Sequence, residues 1–295
     1  MATRSLFRGR ALPLALVAPQ IAITLVFFVW PAAQALKQSM LIEDAFGFGS
    51  EFVWFENFES VLTDPGYHNA IAVTALFSIG VMLVSLSLGL LLAALVDGVT
   101  SRRVGAIYRA ISVAPYAIAP AVAGALWFFI FNPTVGIVTH WLGLVGIDWN
   151  HVRNGDQALL LVVLAAAWKQ IAYNFVFFLA GLQSIPRSLI EAAAIDGAGP
   201  GRRFVSIVLP LLSPTAFFLM VVNLTYAFFD TFPVIHAVTQ GGPGNATETL
   251  VYKVFRDGFI GLDLGRSAAQ SVILMVVVAA MTVVQFRWVE RKVHY

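Results

Sequence analysis

Long stretches without Asp, Glu, Lys or Arg constrain this chain more than any other feature. An ionised side chain is costly inside hydrocarbon, and about 20 helical residues cross the core of a bilayer, so each stretch predicts a membrane span. Five stretches are long enough outright: residues 11–36, 65–96, 110–147, 204–229 and 267–286. A sixth, residues 157–186, is interrupted only by Lys169.

The composition agrees with this prediction, since 59% of residues are hydrophobic, only 12% are charged and none is Cys. Soluble domains carry about 25% charged residues, so an ordinary soluble enzyme, a disordered chain and a disulfide scaffold are excluded. Asn132-Pro133 and two glycines break the second half of residues 110–147, which predicts one span followed by an outer loop. We therefore expect an all-α integral membrane protein whose single domain, residues 1–295, has six transmembrane helices near residues 11–36, 70–96, 107–131, 158–183, 205–229 and 267–288.

Basic residues sort between alternate connections and so predict the orientation. One side receives most of them: Arg4, Arg8, Arg10, Arg102, Arg103, Arg109, Arg187, Arg202, Arg203, Arg287, Arg291 and Lys292. The positive-inside rule then places both termini in the cytoplasm. The first span also has the basic start of a secretory signal, but its apolar run exceeds the usual 7–15 residues of a signal core, which favours an uncleaved helix.

Motifs for covalent chemistry are missing from the sequence. It contains no phosphate-binding loop, HExxH, GxSxG or Ser-x-x-Lys pattern. The histidines are scattered, and the net charge of +2 gives no reason to expect nucleic acid as a partner. We predict neither catalysis nor a metal site.

The predicted cytoplasmic loop comprises residues 185–210 and begins where Pro186 ends the fourth span. Ser188 is a candidate N-cap for a short helix that stops at Asp196-Gly197. So short a helix is unstable alone, so something is expected to pack on it. From the residues alone, docking of a partner and simple capping of the helix bundle are both open.

This loop resembles the EAA loop of ATP-binding-cassette (ABC) importer permeases in Glu191-Ala192-Ala193, Gly197 and the downstream Ile207-x-Leu209-Pro210. The resemblance implies that the loop docks on a separate ATPase subunit, which binds ATP and Mg, so that this chain itself needs no cofactor. It assigns the ATPase contact to Glu191, Ala192, Ala193, Asp196 and Gly197.

Further segments resemble the maltose-type carbohydrate permeases, among them Trp30-Pro31, Phe131-Asn132-Pro133 and Gln240-Gly241-Gly242-Pro243. Asp148-Trp149-Asn150-His151 and residues 168–175 narrow the resemblance to the A-type permeases of sn-glycerol-3-phosphate importers. It implies a type I ABC importer permease in the bacterial inner membrane, working by alternating access.

The partners that this resemblance implies are a second homologous permease subunit, an ATPase dimer and an extracytoplasmic substrate-binding protein. Import of sn-glycerol-3-phosphate or glycerophosphodiesters is the expected function, with a neutral-sugar permease of the same architecture as the alternative. A self-sufficient channel or secondary transporter is disfavoured, because the sequence shows neither internal repeats nor broken helices.

Polar residues inside the predicted spans mark the candidate substrate pathway. Lys169 and Tyr173 share one helical face, as do Gln170 and Asn174. Asn223, Tyr226 and Asp230 share a face of the fifth span, and the resemblance adds Phe228 and Thr231. Lys169 suits an anionic phosphate. The alternative is that these side chains pair between helices, with Asp230 as a possible partner of Lys169.

Overall fold

The computed structural model describes residues 11–43 and 49–292, so Arg4, Arg8 and Arg10 of the orientation argument lie outside the described residues. It is almost entirely helical. In chain order the helices are α1 (Ala11–Thr24), α2 (Trp30–Gln38), α3 (Glu56–Thr63), α4 (Pro65–Asp97), α5 (Arg102–Val113), α6 (Pro120–Ile130), α7 (Ile137–Leu144), α8 (Gly155–Ser184), α9 (Arg187–Ile195), α10 (Pro200–Arg203), α11 (Leu209–Phe229), α12 (Phe232–Val238), α13 (Leu250–Phe255) and α14 (Leu264–Lys292). Two short strands, β1 (Leu41–Glu43) and β2 (Ser50–Phe52), form an antiparallel pair in which Leu41 faces Phe52.

Five helical segments are long and apolar enough to cross a membrane: Leu14–Gln38, Pro65–Asp97, Gly155–Ser184, Pro200–Phe229 and Leu264–Val284. The first and fourth run continuously through π-helical turns at Leu25–Val29 and Phe204–Val208. A sixth span is obtained when α5 and α6 are counted together, although they are bent by 101°. The predicted all-α membrane class is confirmed, with six spans on that count.

The third span differs from the single helix predicted over residues 107–131. After α5 the chain makes a 3₁₀ turn, Ala114–Ala117, and two extended residues, Ile118 and Ala119, before α6 begins at Pro120. Proline lacks the amide hydrogen that helix continuation needs. The sequence therefore contained the cause of a broken helix, but its apolar periodicity concealed the break.

The described residues divide into two compact units. The first comprises residues 11–43, 49–64 and 254–280. Its strand pair is tied to α3 by the Asn57 side chain, which donates to the carbonyls of Ser39 at 3.0 Å and Leu41 at 2.9 Å. Arg266 forms an ion pair with Asp64, which links the start of α14 to the end of α3.

The second unit comprises residues 65–253 and 281–292 and is built around α4 and α8. Its core includes the fully buried side chains of Phe77, Val81, Leu161 and Val162. Gly89 permits a close approach of the two helices, because a Cβ atom there would lie 2.6 Å from the Asn174 Cβ atom. This packing holds the predicted polar faces of α8 and α11 inside one unit.

Candidate functional site

Lys169 lies near the middle of α8, and its side chain is only 5% exposed. The ammonium donates hydrogen bonds to the carbonyl of Ile118 and, at 3.3 Å, to that of Tyr116. The same nitrogen lies 5.9 Å from the centroid of the Tyr116 ring, within the range of a cation–π interaction. The charge is thus stabilised by backbone carbonyls and an aromatic face.

Asp230, the possible acidic partner of Lys169, does not pair with it. Asp230 is exposed at the end of α11, where its N–H donates to the Tyr226 carbonyl at 2.9 Å. Among the residues that the structure describes, Lys169 forms no ion pair with a carboxylate. The carbonyls beyond the C-terminal end of α5 take that place, since helix C-termini carry partial negative charge.

Asn174 and Asn223 form a hydrogen-bonded pair between α8 and α11, and both are fully buried. The Asn223 amide donates to Asn174 Oδ1 at 2.8 Å and accepts from Asn174 Nδ2 at 3.1 Å. Ser85 of α4 donates to the same Asn223 Oδ1 at 2.7 Å. The structure therefore brings these two predicted pathway residues together as a link among three helices.

The other predicted pathway residues differ in exposure. Gln170 and Thr231 are buried, and the Thr231 hydroxyl donates to the Ala227 carbonyl at 2.8 Å. Tyr226 directs its hydroxyl toward the Ala166 carbonyl at 3.4 Å. Of the predicted set, Tyr173, Tyr226 and Phe228 are half-buried and Asp230 is exposed, so these four retain accessible surface.

A row of aromatic rings extends from the Lys169 ammonium, and the sequence analysis missed it. The Tyr116 and Tyr173 ring centroids are 5.9 Å apart, those of Tyr173 and Phe177 4.7 Å, and those of Phe177 and Phe218 5.5 Å. The spacing of Tyr173 and Phe177, one turn apart on α8, was the available signal. Tyr116 and Phe218 join the row only through tertiary packing.

The predicted coupling loop forms the helix α9, which ends where the sequence predicts. Gly197 adopts a positive φ of 80°, and the N–H groups of Gly197 and Ala198 bond back to the carbonyls of Ala194 at 3.1 Å and Ala193 at 2.9 Å. This is the arrangement of a glycine-terminated helix. The predicted cap at Ser188 is wrong, because the helix begins at Arg187 after Pro186 and has no side-chain cap.

One side of α9 packs against neighbouring residues of the second unit, while the remainder of the helix is exposed. Ile190 is half-buried against a cluster that includes Ile185, Val208 and Leu212. In contrast, Ile195 is 86% exposed, and Glu191, Ala192, Asp196 and Gly197 are exposed as well. An accessible apolar side chain beside accessible carboxylates can bind a partner of matching shape and charge.

The loop before α8 buries His151, which is 2% exposed. Its ring meets the Phe128 ring edge-on, with centroids 5.9 Å apart. Burial lowers the pKa of His151 from its ordinary value, and the Phe131 carbonyl opposes part of this shift. Within residues 11–43 and 49–292, no cluster of three or more His, Asp or Glu residues could hold a metal ion.

Comparison with known proteins places this arrangement in a family. Residues 85–295 match the family described as "binding-protein-dependent transport system inner membrane component". The chain is 60% identical over 289 residues to the "sn-glycerol-3-phosphate transport system permease protein UgpA" of Agrobacterium fabrum, covering 98% of both chains. The protein of the same name from Pectobacterium atrosepticum is 57% identical over 99% of each chain.

Solved structures share the fold. A crystal structure of a bacterial ABC transporter "involved in the import of the acidic polysaccharide alginate" contains a chain that superposes with a TM-score of 0.81 at 22% identity, covering 96% of each chain. A second structure, of the alginate transporter in complex with a pentasaccharide-bound periplasmic protein, gives a TM-score of 0.78 at 22% identity, covering 93% of this chain and 92% of that one. This chain therefore belongs to the family of inner membrane components of binding-protein-dependent transport systems, and it is a transport permease subunit rather than an enzyme.

Proposed function

We propose that this chain is one of two permease subunits of an ATP-driven importer for sn-glycerol-3-phosphate or glycerophosphodiesters. The observation that supports this substrate is the sequence identity of 60% and 57% to relatives named for sn-glycerol-3-phosphate transport, which extends along nearly the whole chain. The subunit lies in the bacterial inner membrane, with both termini in the cytoplasm as the distribution of basic residues indicates.

The substrate pathway follows the polar and aromatic side chains of α8 and α11. Tyr173, Tyr226, Phe228 and Asp230 have accessible surface and are the members of the predicted set best placed to meet substrate directly. Lys169 already donates to two carbonyls, so it gives less support for an anionic substrate than the sequence suggested. The choice of glycerol phosphate over a neutral sugar accordingly rests on the relatives.

The partners are a second permease, an ATPase dimer that binds ATP and Mg, and an extracytoplasmic binding protein that delivers substrate. The exposed residues Glu191 and Ala192 of α9, the half-buried Ala193, and the exposed Asp196 and Gly197 that follow the helix contact the ATPase. ATP binding closes the ATPase pair and moves α9. Because α8 ends at Ser184 and α9 begins at Arg187, this movement is passed directly to the helix that carries the polar residues.

Reconstitution tests this proposal. The complete complex, with the products of neighbouring permease, ATPase and binding-protein genes, is placed in proteoliposomes, and ATP-dependent uptake of labelled sn-glycerol-3-phosphate is compared with uptake of labelled maltose. We expect saturable uptake of the phosphate ester and none of maltose. Uptake of maltose instead would establish the neutral-sugar alternative, and uptake of either compound by this subunit alone would contradict the requirement for partners.

A further inference from the structure

The break between α5 and α6 leaves backbone carbonyls without their helical donors. In a continuous helix each carbonyl accepts from the amide four residues later, so the Tyr116 carbonyl would need the amide hydrogen of residue 120. That residue is Pro120, which has none. Ile118 is extended, with φ −79° and ψ 131°, and so its carbonyl lies outside the regular helix pattern as well.

The Lys169 ammonium supplies the donors that these carbonyls lack. A backbone carbonyl without a donor is costly in a membrane protein, and a single ammonium offers three donors on one atom. Two of them reach the carbonyls of Tyr116 and Ile118, while the Tyr116 ring faces the same nitrogen. The contact spans 53 and 51 residues of sequence, so it fixes α8 against the third span.

The position of Lys169 along the chain adds a mechanical consequence. Lys169 lies on α8, and only Ile185 and Pro186 separate the end of α8 from α9. Displacement of α9 is therefore transmitted along a continuous helix to the ammonium and from there to the break between α5 and α6.

We propose that Lys169 is a positioning residue that clamps the broken third span to α8, so that movement of α9 reaches that span. The ammonium acts through the Tyr116 and Ile118 carbonyls and does not need to touch substrate. This inference rests on the proposed transport function for its role in coupling, but the clamp itself exists in the resting protein and can be measured without substrate.

Distance measurements between spin labels test the clamp. The sequence contains no Cys, so labels at Tyr108→Cys on α5 and Phe129→Cys on α6, both exposed positions, are unique in this subunit. The complete complex, with cysteine-free partners, is measured by pulsed electron paramagnetic resonance without substrate. We expect a narrow distance distribution with Lys169, a broadened and shifted one in Lys169→Met, and recovery of the narrow one in Lys169→Arg, which keeps the donors.

A second variant separates the clamp from general damage to the fold. Pro120→Ala restores the amide that the Tyr116 carbonyl lacks, so Lys169→Met should broaden the distribution less in a Pro120→Ala background than alone. If Lys169→Met leaves the distribution unchanged and raises the apparent KM for uptake, Lys169 contacts substrate and the inference is overturned. If the distribution broadens as expected but the unmodified complex does not import sn-glycerol-3-phosphate, the clamp stands and the proposed substrate fails.

Discussion

Asn223→Ala removes a side chain that joins three helices of the second unit. The Asn223 amide makes two hydrogen bonds with Asn174, at 2.8 and 3.1 Å, and accepts one from Ser85 at 2.7 Å. Both asparagines are 0% exposed, so water cannot replace the lost partner at Asn174 without a rearrangement.

The expected loss follows from these three bonds. Interhelical hydrogen bonds in membrane proteins contribute roughly 0.6 kcal/mol each, which sums to about 2 kcal/mol. The Asn174 amide left without a partner adds about 1–3 kcal/mol. We therefore expect Asn223→Ala to lower the free energy of unfolding by roughly 3–5 kcal/mol.

Unfolding of the purified complex in mixed micelles, titrated with a denaturing detergent, measures this loss. Thr225→Ala is the matched control, because Thr225 lies on the same helix, is exposed and bonds only to the Val221 carbonyl of that helix. The control variant should lose no more than about 0.5 kcal/mol of unfolding free energy. The Asn174→Ala/Asn223→Ala double variant should lose less than the sum of the single variants. Losses for Asn223→Ala no larger than those for Thr225→Ala would refute the reasoning, and a changed KM at unchanged stability would assign Asn223 to the substrate instead.

Three further changes test other parts of the structure. Gly89→Val should destabilise the subunit by at least about 1–3 kcal/mol, because even a Cβ atom would lie 2.6 Å from the Asn174 Cβ atom. The same detergent titration measures this loss of stability, and a stability equal to wild type would contradict the close approach of α4 and α8. Gly197→Asp should stop uptake while the complex still assembles, since position 197 has open space but lies on the proposed ATPase contact. Gly197→Asn is its control, because asparagine tolerates the same backbone conformation. Normal uptake in Gly197→Asp would count against that contact. Burial lowers the pKa of His151 in the folded state, so the unfolded chain binds more protons than the folded chain as pH falls through about 6.5. Thermal stability should therefore decline below that pH, and the decline should be smaller in His151→Gln than in the exposed-site control His140→Gln. Equal declines in both variants would exclude His151 as the cause.

Several local features could be predicted because their causes are local. The end of α9 at Gly197 follows from the low cost of a positive φ at glycine. The predicted Ser188 cap failed because Pro186 occupies the N-cap position, so the helix starts two residues earlier than a Ser188 cap would place it. The break at Pro120 was readable in principle, yet the surrounding apolar residues satisfied the length criterion for one span and hid it.

Partners of buried polar groups could not be predicted in the same way. The sequence placed Lys169, Asn174 and Asn223 on helix faces, but it suggested Asp230 as a possible acidic partner of Lys169. The actual acceptors are carbonyls of Tyr116 and Ile118, which any sequence possesses at every position. Only the break in the third span makes these two carbonyls available.

By itself the sequence determined that this protein lies in a membrane and that it is helical, because the cost of charge in hydrocarbon depends on composition along a single segment. The tertiary structure alone decided which helices meet, that Asn174 pairs with Asn223, and that Lys169 completes the broken third span. Those contacts join residues 49–53 positions apart. They depend on how helices pack side by side, a relation that the pattern within any one helix does not contain.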